Sequence, residues 1–309
     1  MSLDSMVLIM VTVISAATPL IYASLGELIV EKAGVLNLGI EGMMLAGAVT
    51  AFTVTVLSGN SGIGILAGAA AGALLALMFG VLTLSLMANQ VATGLALTIF
   101  GIGISALLGS GFVGTPVDRL PRLDVPGLSD IPVLGPLLFG HDLLIYGAFA
   151  AAGAISWFLK RSHAGMVLRA VGESHDSAHS IGYNVIRIRY MAVLFGGMMS
   201  GLAGGFLSLS YTPMWFEQMT AGRGWIALAL VVFAAWRPGR VVLGAFLFGG
   251  VTILQLHAQS IGGLAVPAQV MSMLPYVATI LVLMLISAGP LKGRLNAPAC
   301  LGKPFRPTA

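Results

Sequence analysis

Long apolar segments separated by short polar ones dominate this chain and limit what it can fold into. Nine such segments lie at 6–25, 35–56, 62–87, 93–110, 142–159, 190–211, 223–236, 241–262 and 271–288. A helix needs about 20 apolar residues to cross a bilayer, and continuous rather than alternating runs favour helices over membrane β-strands. Hydrophobic residues make up 58% of the chain and charged ones 8%, against roughly 45–50% and 25% in soluble domains. We therefore predict an all-α, polytopic transmembrane helical bundle, a single domain over residues 1–309 with about nine spans, between eight and ten.

The placement of basic residues predicts which side of the membrane each loop faces. We place the loop at about 160–189 in the cytoplasm and let the other loops alternate between the two sides of the membrane. Of the 15 Lys and Arg residues, three then fall outside: Arg119, Arg122 and Arg223. The remaining twelve then fall on the cytoplasmic side, as the positive-inside rule requires. We expect a cytoplasmic C-terminus, an external N-terminus and a long external loop at about 111–141.

Motifs for catalysis and metal binding are weak in this sequence. His175 and His179 in "HDSAH" resemble the helix of a zinc protease, but Asp176 stands where a Glu is required and no third ligand is near in sequence. Cys300 is the single cysteine, no serine is placed opposite His257, and no GxxxxGK[ST] loop is present. We expect no catalytic site, no metal site and no enzymatic activity in this chain. A net charge of +4 does not indicate a nucleic-acid partner.

Polar residues inside or beside the apolar segments are candidates for a transport path. Such groups are costly in lipid and usually face a bundle interior or a cavity. None of the deep ones is Lys or Arg, which favours a neutral polar solute. Hydrogen bonding between helices explains any one of them equally well. The candidates are Asn37, Glu41, Asn89, Gln90, Thr93 and Gln255.

Four charged residues interrupt the apolar N-terminal part of the chain. We expect Glu27, Glu31 and Lys32 at a cytoplasmic turn between the first two spans, where the two like charges need a cation such as Lys32. Glu41 is expected several residues inside the membrane, either on the path or its gate, or as a structural anchor. Asn37, one turn earlier, is expected to share its helix face and help to satisfy it.

Five stretches carry a resemblance to a known family. They are "SLGELIVEKAGVLNLGIEGMMLAGA", "MANQVATGLALTIFGIG", "LRAVGESHDSAHSIGYNVIRIRY", "MTAGRGWIALALVVFAAWRPG" and "LNAPACLGKPF". Together they resemble the permeases of ABC importers of the simple-sugar and nucleoside class, relatives of the ribose and branched-chain amino acid permeases. The resemblance covers nearly the whole chain, and its first and last motifs are typical of the guanosine-type branch.

The resemblance implies a fold, a function and partners. The fold would be an ABC permease of inverted repeats, hinted at by "AGVLNLGIEGMMLAGA" and "AGRGWIALALVVFAAW". The solute would be a purine nucleoside, with a simple sugar or a branched-chain amino acid as alternatives; an ion-coupled secondary carrier is the alternative outside the class. The setting would be the bacterial inner membrane. Partners would be a second homologous permease, a cytoplasmic, tandem-fused ATPase that binds ATP and Mg, and an extracytoplasmic substrate-binding protein.

The family resemblance also implies that the ATPase docks on the cytoplasmic loop. We predict one helix near 172–182 there, with Ala178 small enough to seat in a cleft of the ATPase. Two departures from the family pattern concern this docking: Ser174-His175-Asp176 replaces the frequent Asn-Pro-Arg, and Ala235-Trp236-Arg237-Pro238 replaces Gly-x-Trp-x-Pro. The expected coupling residues are Arg169, Gly172, Glu173, Asp176, Ala178 and Gly182.

Overall fold

A computed structural model of the protein describes residues 3–123, 126–129, 131–260 and 297–306, together with single positions between 270 and 284. The helices are α1 (Leu3–Lys32), α2 (Ile40–Ser58), α3 (Ser61–Gly80), α4 (Gln90–Gly109), α5 (Leu134–Leu138), α6 (Leu143–Arg161), α7 (His163–Glu173), α8 (His175–Ser180), α9 (Val185–Phe206), α10 (Arg223–Phe233) and α11 (Pro238–Ser260). Short π-helical turns continue α3 over Val81–Ser85 and α9 over Leu207–Tyr211.

Within the described residues, seven helices are long and apolar enough to cross a membrane. They are Ser5–Lys32, Ile40–Ser58, Ser61–Ser85, Gln90–Phe112, Leu143–Arg161, Val185–Tyr211 and Pro238–His257, and the shorter Arg223–Phe233 is also apolar. These seven and the shorter helix coincide with eight of the nine predicted segments. The ninth segment, 271–288, lies outside the described residues except for single positions. The prediction of an all-α polytopic fold is confirmed.

Helices α2, α3 and α9 form the centre of the bundle and touch through their backbones. A Cβ added at Gly47 of α2 would lie 2.5 Å from the Cα of Gly201 of α9. A Cβ at Gly68 of α3 would lie 2.7 Å from the carbonyl oxygen of Gly47. Small residues allow such close approach in lipid, where burial of apolar surface cannot drive helix association. The four-residue spacing of glycines in the sequence therefore reflects tight helix packing.

The chain leaves helical geometry between α1 and α2, over a stretch that we name segment 33–39. This segment runs back along α1, because the backbone N–H of Asn37 donates to Glu27 Oε1 at 3.1 Å, ten residues earlier in the chain. Helix α2 therefore begins inside the bundle rather than at its end. The turn between the first two spans was predicted at Glu27–Lys32, but α1 continues to Lys32 and the break follows it, partly within the apolar segment 35–56.

Helix α10 also begins inside the bundle. Ser24 Oγ of α1 donates to the carbonyl oxygen of Ala227 at 3.1 Å, and Trp236, just after α10, donates from Nε1 to Glu31 Oε2 at 2.5 Å. The start of α10 thus lies beside Ser24, which is about 12 Å along the helix from Lys32. Helices that begin at membrane depth are typical of transporters built from inverted repeats.

The two ends of the bundle differ in chemistry. We name as the basic end the one that holds the C-terminal end of α1, helices α7 and α8, the start of α9 and residues 297–306; its cations include Lys32, Arg169, Arg187, Arg189 and Lys303. The opposite end holds the start of α1, the loop before α6 and the end of α9. There the N–H of Leu120 donates to the carbonyl oxygen of Leu209 at 3.3 Å.

The predicted single helix near 172–182 is wrong, because the loop at 160–189 contains two helices. Ser174 separates α7 from α8 with extended backbone angles, φ −152° and ψ 107°. Its N–H donates to the carbonyl oxygen of Ala170 at 2.9 Å, and its Oγ accepts the N–H of Ser177 at 3.2 Å. One serine thus ends the first helix and caps the second, as serine often does at a helix start.

Candidate functional site

The start of α2 carries a buried carboxylate, Glu41, which is only 6% exposed. Its Oε1 accepts hydrogen bonds from Thr220 Oγ1 at 2.6 Å and from the Gly222 N–H at 2.8 Å. Its Oε2 accepts from the Gly224 N–H at 2.5 Å. We name these four residues the Glu41 site. The carboxylate caps α10, whose first turn offers unpaired N–H groups and the positive end of the helix dipole.

Glycines in the motif "AGRG" make this contact possible. Gly222 has φ +78°, a left-handed conformation that glycine adopts without strain. A Cβ added at Gly224 would lie 2.6 Å from Glu41 Oε2 and 2.7 Å from Glu41 Cα. Any larger residue at Gly224 would therefore push the carboxylate away from the backbone that binds it.

The predicted pairing of Asn37 with Glu41 is wrong. Asn37 Oδ1 accepts the Gly39 N–H at 2.9 Å, and Asn37 Nδ2 lies 3.5 Å from Met43 Sδ. The reason is that Asn37 belongs to segment 33–39 and not to α2, so the four-residue spacing does not place the two side chains on one helix face.

The other path candidates divide into near and distant residues. Gln90 is buried at the start of α4, and its Oε1 accepts the Leu36 N–H at 2.8 Å. Thr93 is buried one turn further along α4. Asn89 is exposed and caps α4 by accepting the Ala92 N–H at 3.0 Å. Gln255 lies apart on α11, which packs against α1, α6 and α10.

The structure thus brings Asn37, Gln90 and Thr93 close to the Glu41 site around segment 33–39. The side chains of Asn37 and Gln90 accept hydrogen bonds from the backbone N–H groups of Gly39 and Leu36. That these residues line a solute path stays a prediction.

Glu27 and Glu31 lie on α1 and are each only 1% exposed, so the prediction that they occupy a turn is wrong. The cause is that α1 continues to Lys32 and that the chain after α10 covers it. Glu31 is bound by the Trp236 indole N–H. Lys32 Nζ lies 5.8 Å from the centre of the same indole ring, within the range of a cation–π interaction. Trp236 therefore contacts both residues: it donates a hydrogen bond to Glu31 and offers its ring face to Lys32.

The predicted coupling residues lie at the basic end, and four of them are exposed. They are Arg169, Glu173, Asp176 and Gly182. Gly182 has φ +95° and ends the turn after α8. These residues are free to meet a partner.

The two other predicted coupling residues are buried within the chain. Gly172 packs directly on the carbonyl oxygen of Lys32. Ala178 is 2% exposed and belongs to an apolar cluster with Val171, Val185 and Phe305. Ala178 therefore does not seat in a cleft of another protein, because Phe305 from the C-terminal segment already covers it.

Comparison with known proteins identifies the family. Residues 9–285 match the model of the permease component of branched-chain amino acid transport systems. The chain belongs to this permease family.

Three relatives cover nearly the whole permease. A putative glucose ABC transporter permease of Haloferax volcanii is 41% identical, over 93% of this chain and 94% of the relative. A guanosine ABC transporter permease of Bacillus subtilis is 33% identical, over 94% and 93%. A nucleoside ABC transporter permease of Lactococcus lactis is 30% identical, over 91% and 93%. The permease is thus a multi-pass membrane subunit of an ABC transporter, a class that works with an ATPase and a substrate-binding protein.

His175 of the permease lies buried in α8. It is 5% exposed, and its Nε2 has no hydrogen-bond partner within the described part of the chain. Burial, and secondarily the charge of Arg189, lowers the pKa of His175 from 6.5 to about 4. His175 and His179 both meet the Phe305 ring edge-on, each with ring centroids 5.5 Å apart. The spacing that resembled a zinc motif serves aromatic packing.

Two residues of the permease were not predicted to have a role, although both lie in stretches that resemble the family. Thr220 completes the Glu41 site, and its signal was the glycine-rich stretch before a short apolar segment, which is a pattern for a helix start. Arg189, at the start of α9, is buried, and nothing in its local sequence distinguishes it from the exposed Arg187.

Proposed function

We propose that this permease translocates a purine nucleoside into the cell, driven by ATP hydrolysis on a partner. The observation that carries the proposal is the near full-length similarity to two permeases named for guanosine and for nucleosides. The Glu41 site is consistent with a neutral solute, because its carboxylate already accepts hydrogen bonds from one hydroxyl and two backbone N–H groups. The carboxylate thereby holds the start of α10 and does not need a cationic solute as its partner.

A sugar is the second candidate solute. The relative with 41% identity is named a putative glucose permease, and the sugar hydroxyls of a nucleoside and of a hexose make similar hydrogen bonds. A branched-chain amino acid has less support, because its zwitterion would need charged partners.

The proposed assembly contains a second homologous permease, a tandem-fused ATPase and an extracytoplasmic binding protein. The basic end would face the cytoplasm of a bacterial cell and meet the ATPase through the exposed residues of α7 and α8. ATP and Mg would be bound by the ATPase alone. The path would pass the Glu41 site, where α2 and α10 both begin inside the bundle.

The test is uptake by the reconstituted complex in proteoliposomes. Labelled guanosine, adenosine, glucose, ribose and leucine are compared with ATP and with a non-hydrolysable analogue, with and without an ionophore. ATP-dependent uptake of the two nucleosides that the ionophore leaves unchanged is the expected result. Uptake of glucose but not nucleosides would favour the second candidate. Uptake that needs an ion gradient and no ATP would contradict an ABC importer.

A further inference from the structure

The C-terminal segment 297–306 crosses the basic end and joins elements that are distant in sequence. The Cys300 N–H donates to the carbonyl oxygen of Gly172 in α7 at 2.9 Å. The Gly302 N–H donates to the carbonyl oxygen of Gly34, in segment 33–39, at 3.2 Å. Residues 297–306 therefore bond both to the helices proposed to meet the ATPase and to the break in the bundle.

Arg189 connects the C-terminal segment to segment 33–39. It is 2% exposed, and its guanidinium donates from Nη2 to the carbonyl oxygens of Gly34 at 2.6 Å and Lys303 at 2.9 Å. Its Nε donates to the carbonyl oxygen of Ala33 at 3.3 Å. One planar fork thus holds the start of segment 33–39 and the C-terminal segment together. A lysine, with a single point charge on a flexible stem, cannot bind three carbonyl groups in this geometry.

Phe305 fixes the other end of the C-terminal segment. Its ring lies between His175 and His179 of α8 and in the apolar cluster with Val171 and Ala178. It is 7% exposed. Helices α7 and α8 therefore share one small core with residues 297–306.

Segment 33–39 continues this series of contacts toward the Glu41 site. Its Leu36 and Asn37 N–H groups bind Gln90 of α4 and Glu27 of α1, and the chain then enters α2 at Glu41. An unbroken set of hydrogen bonds and packed side chains runs from the exposed face of α7 and α8 to the Glu41 site. A contiguous network of this kind can carry energetic coupling between distant sites.

We propose that Arg189 and residues 297–306 form a clamp that makes α7, α8 and segment 33–39 move as one body. Arg189 is then a positioning residue for transport, which transmits movement of the ATPase to the start of α2 without touching the solute. The proposal rests on the proposed function, and it assigns a role to the C-terminal motif "LNAPACLGKPF" that neither the path nor the docking face explains. A tail that only covers an apolar surface would contribute to assembly but not to the amount of solute moved per ATP.

The experiment measures uptake, ATP hydrolysis and thiol modification on the same reconstituted complex. The variants are Arg189→Lys and Phe305→Ala. The control is Arg187→Lys, which changes an exposed arginine two residues away in the same way. Cys300 is the only cysteine of the permease and lies in the clamp. Its rate of reaction with a labelled maleimide is measured on the permease subunit after the subunits are separated on a gel. This rate reports whether residues 297–306 are bound to the rest of the chain.

The proposal predicts that both variants keep ATP hydrolysis close to the wild-type rate but lose uptake per ATP by about tenfold or more. For Arg189→Lys this is the scale of one lost hydrogen bond to a charged group, and for Phe305→Ala it is at least reached by truncation of a buried aromatic ring. Cys300 should react several-fold faster in both variants, and Arg187→Lys should resemble the wild type. A faster Cys300 reaction with unchanged uptake per ATP would overturn the clamp. Complete loss of assembly in both variants would overturn it as well, since the segment would then serve folding alone. Absence of ATP-dependent uptake in the wild-type complex would instead contradict the proposed function.

Discussion

At the scale of single residues, the buried charges of Glu41 and Arg189 are satisfied by backbone groups and one hydroxyl. Glu41 binds the first N–H groups of α10, and Arg189 binds three carbonyl oxygens. Both charges lie where a helix begins or ends, so that backbone N–H or carbonyl groups have no partner within the helix. Broken helices and buried charges are therefore one feature of the molecule, because each supplies what the other lacks.

Substitution of Glu41 tests whether it anchors α10 or contacts the solute. Glu41→Leu leaves three donors without an acceptor, and each buried unsatisfied group costs about 1–3 kcal/mol, so we expect little assembled complex. Glu41→Gln keeps one acceptor oxygen but turns an NH₂ group toward a donor, so we expect a smaller loss of complex and uptake that falls in proportion to it. Complex yield and uptake per complex are measured, with Glu217→Gln in the exposed loop before α10 as control. A normal yield of Glu41→Gln complex with uptake abolished would show that the charge acts on the path.

The buried His175 predicts a pH dependence of stability. Its pKa is lowered to about 4 from 6.5, so the unfolded chain binds a proton more readily than the folded one. The stability that this ring contributes is complete above 6.5 and is lost as the pH falls toward 4. We expect the purified permease to unfold at a lower temperature at about pH 5 than at about pH 7, and His175→Phe to reduce this difference. His163→Gln, at an exposed histidine, should leave the difference unchanged; an equal slope in His175→Phe would contradict the assignment.

At the scale of helices, the sequence predicted the elements that depend on composition and missed those that depend on contacts between distant residues. Eight apolar segments became helices because a lipid-facing stretch of this length has few other ways to pair its backbone. The position of the break at residues 33–39 could not be predicted, because its N–H groups are bound by Glu27 and Gln90 from other helices. Burial of Ala178 could not be predicted either, since Phe305 lies far away in sequence. The polar candidates near Glu41 were found because polar groups in apolar segments are rare, but their partners were not.

Glycine contacts between central helices give a prediction at this scale. A Cβ at Gly201 of α9 would collide with the backbone of Gly68 and Ala69 in α3. Gly103 of α4 has no atom within 4 Å of an added Cβ and provides the matched control. Overpacking of a tight interface costs about 1–3 kcal/mol, so Gly201→Ala should lower the unfolding temperature and the complex yield while Gly103→Ala should not. Equal behaviour of the two variants would show that α3 and α9 do not pack this closely in the membrane.

At the scale of the whole molecule, the two ends of the bundle differ in chemistry and, in the proposed assembly, would meet different partners. The basic end gathers α7, α8, the C-terminal segment and most of the cations among the described residues, and Arg189 joins these elements. The opposite end carries a cavity of about 220 Å³ beside Arg119 and Arg122. Its wall is fixed by Asp142, which accepts a hydrogen bond from Ser210 in the π-helical turn that continues α9. In the proposed orientation, this loop would face outward and would be the part of the permease that meets the external binding protein.

The orientation of the whole molecule is the final prediction. Residues 297–306 lie at the basic end with α7 and α8, so all three should face the same side. The charge bias predicts that this side is the cytoplasm, because loops rich in Lys and Arg stay there. A reporter fused after Ala309 should behave as cytoplasmic, and the same reporter inserted at Gly127, in the loop at the opposite end, should behave as external. Reporter activity and protease access in whole cells measure both fusions. An external signal from the C-terminal fusion would reverse the orientation and would also place α7 and α8 out of reach of any ATPase.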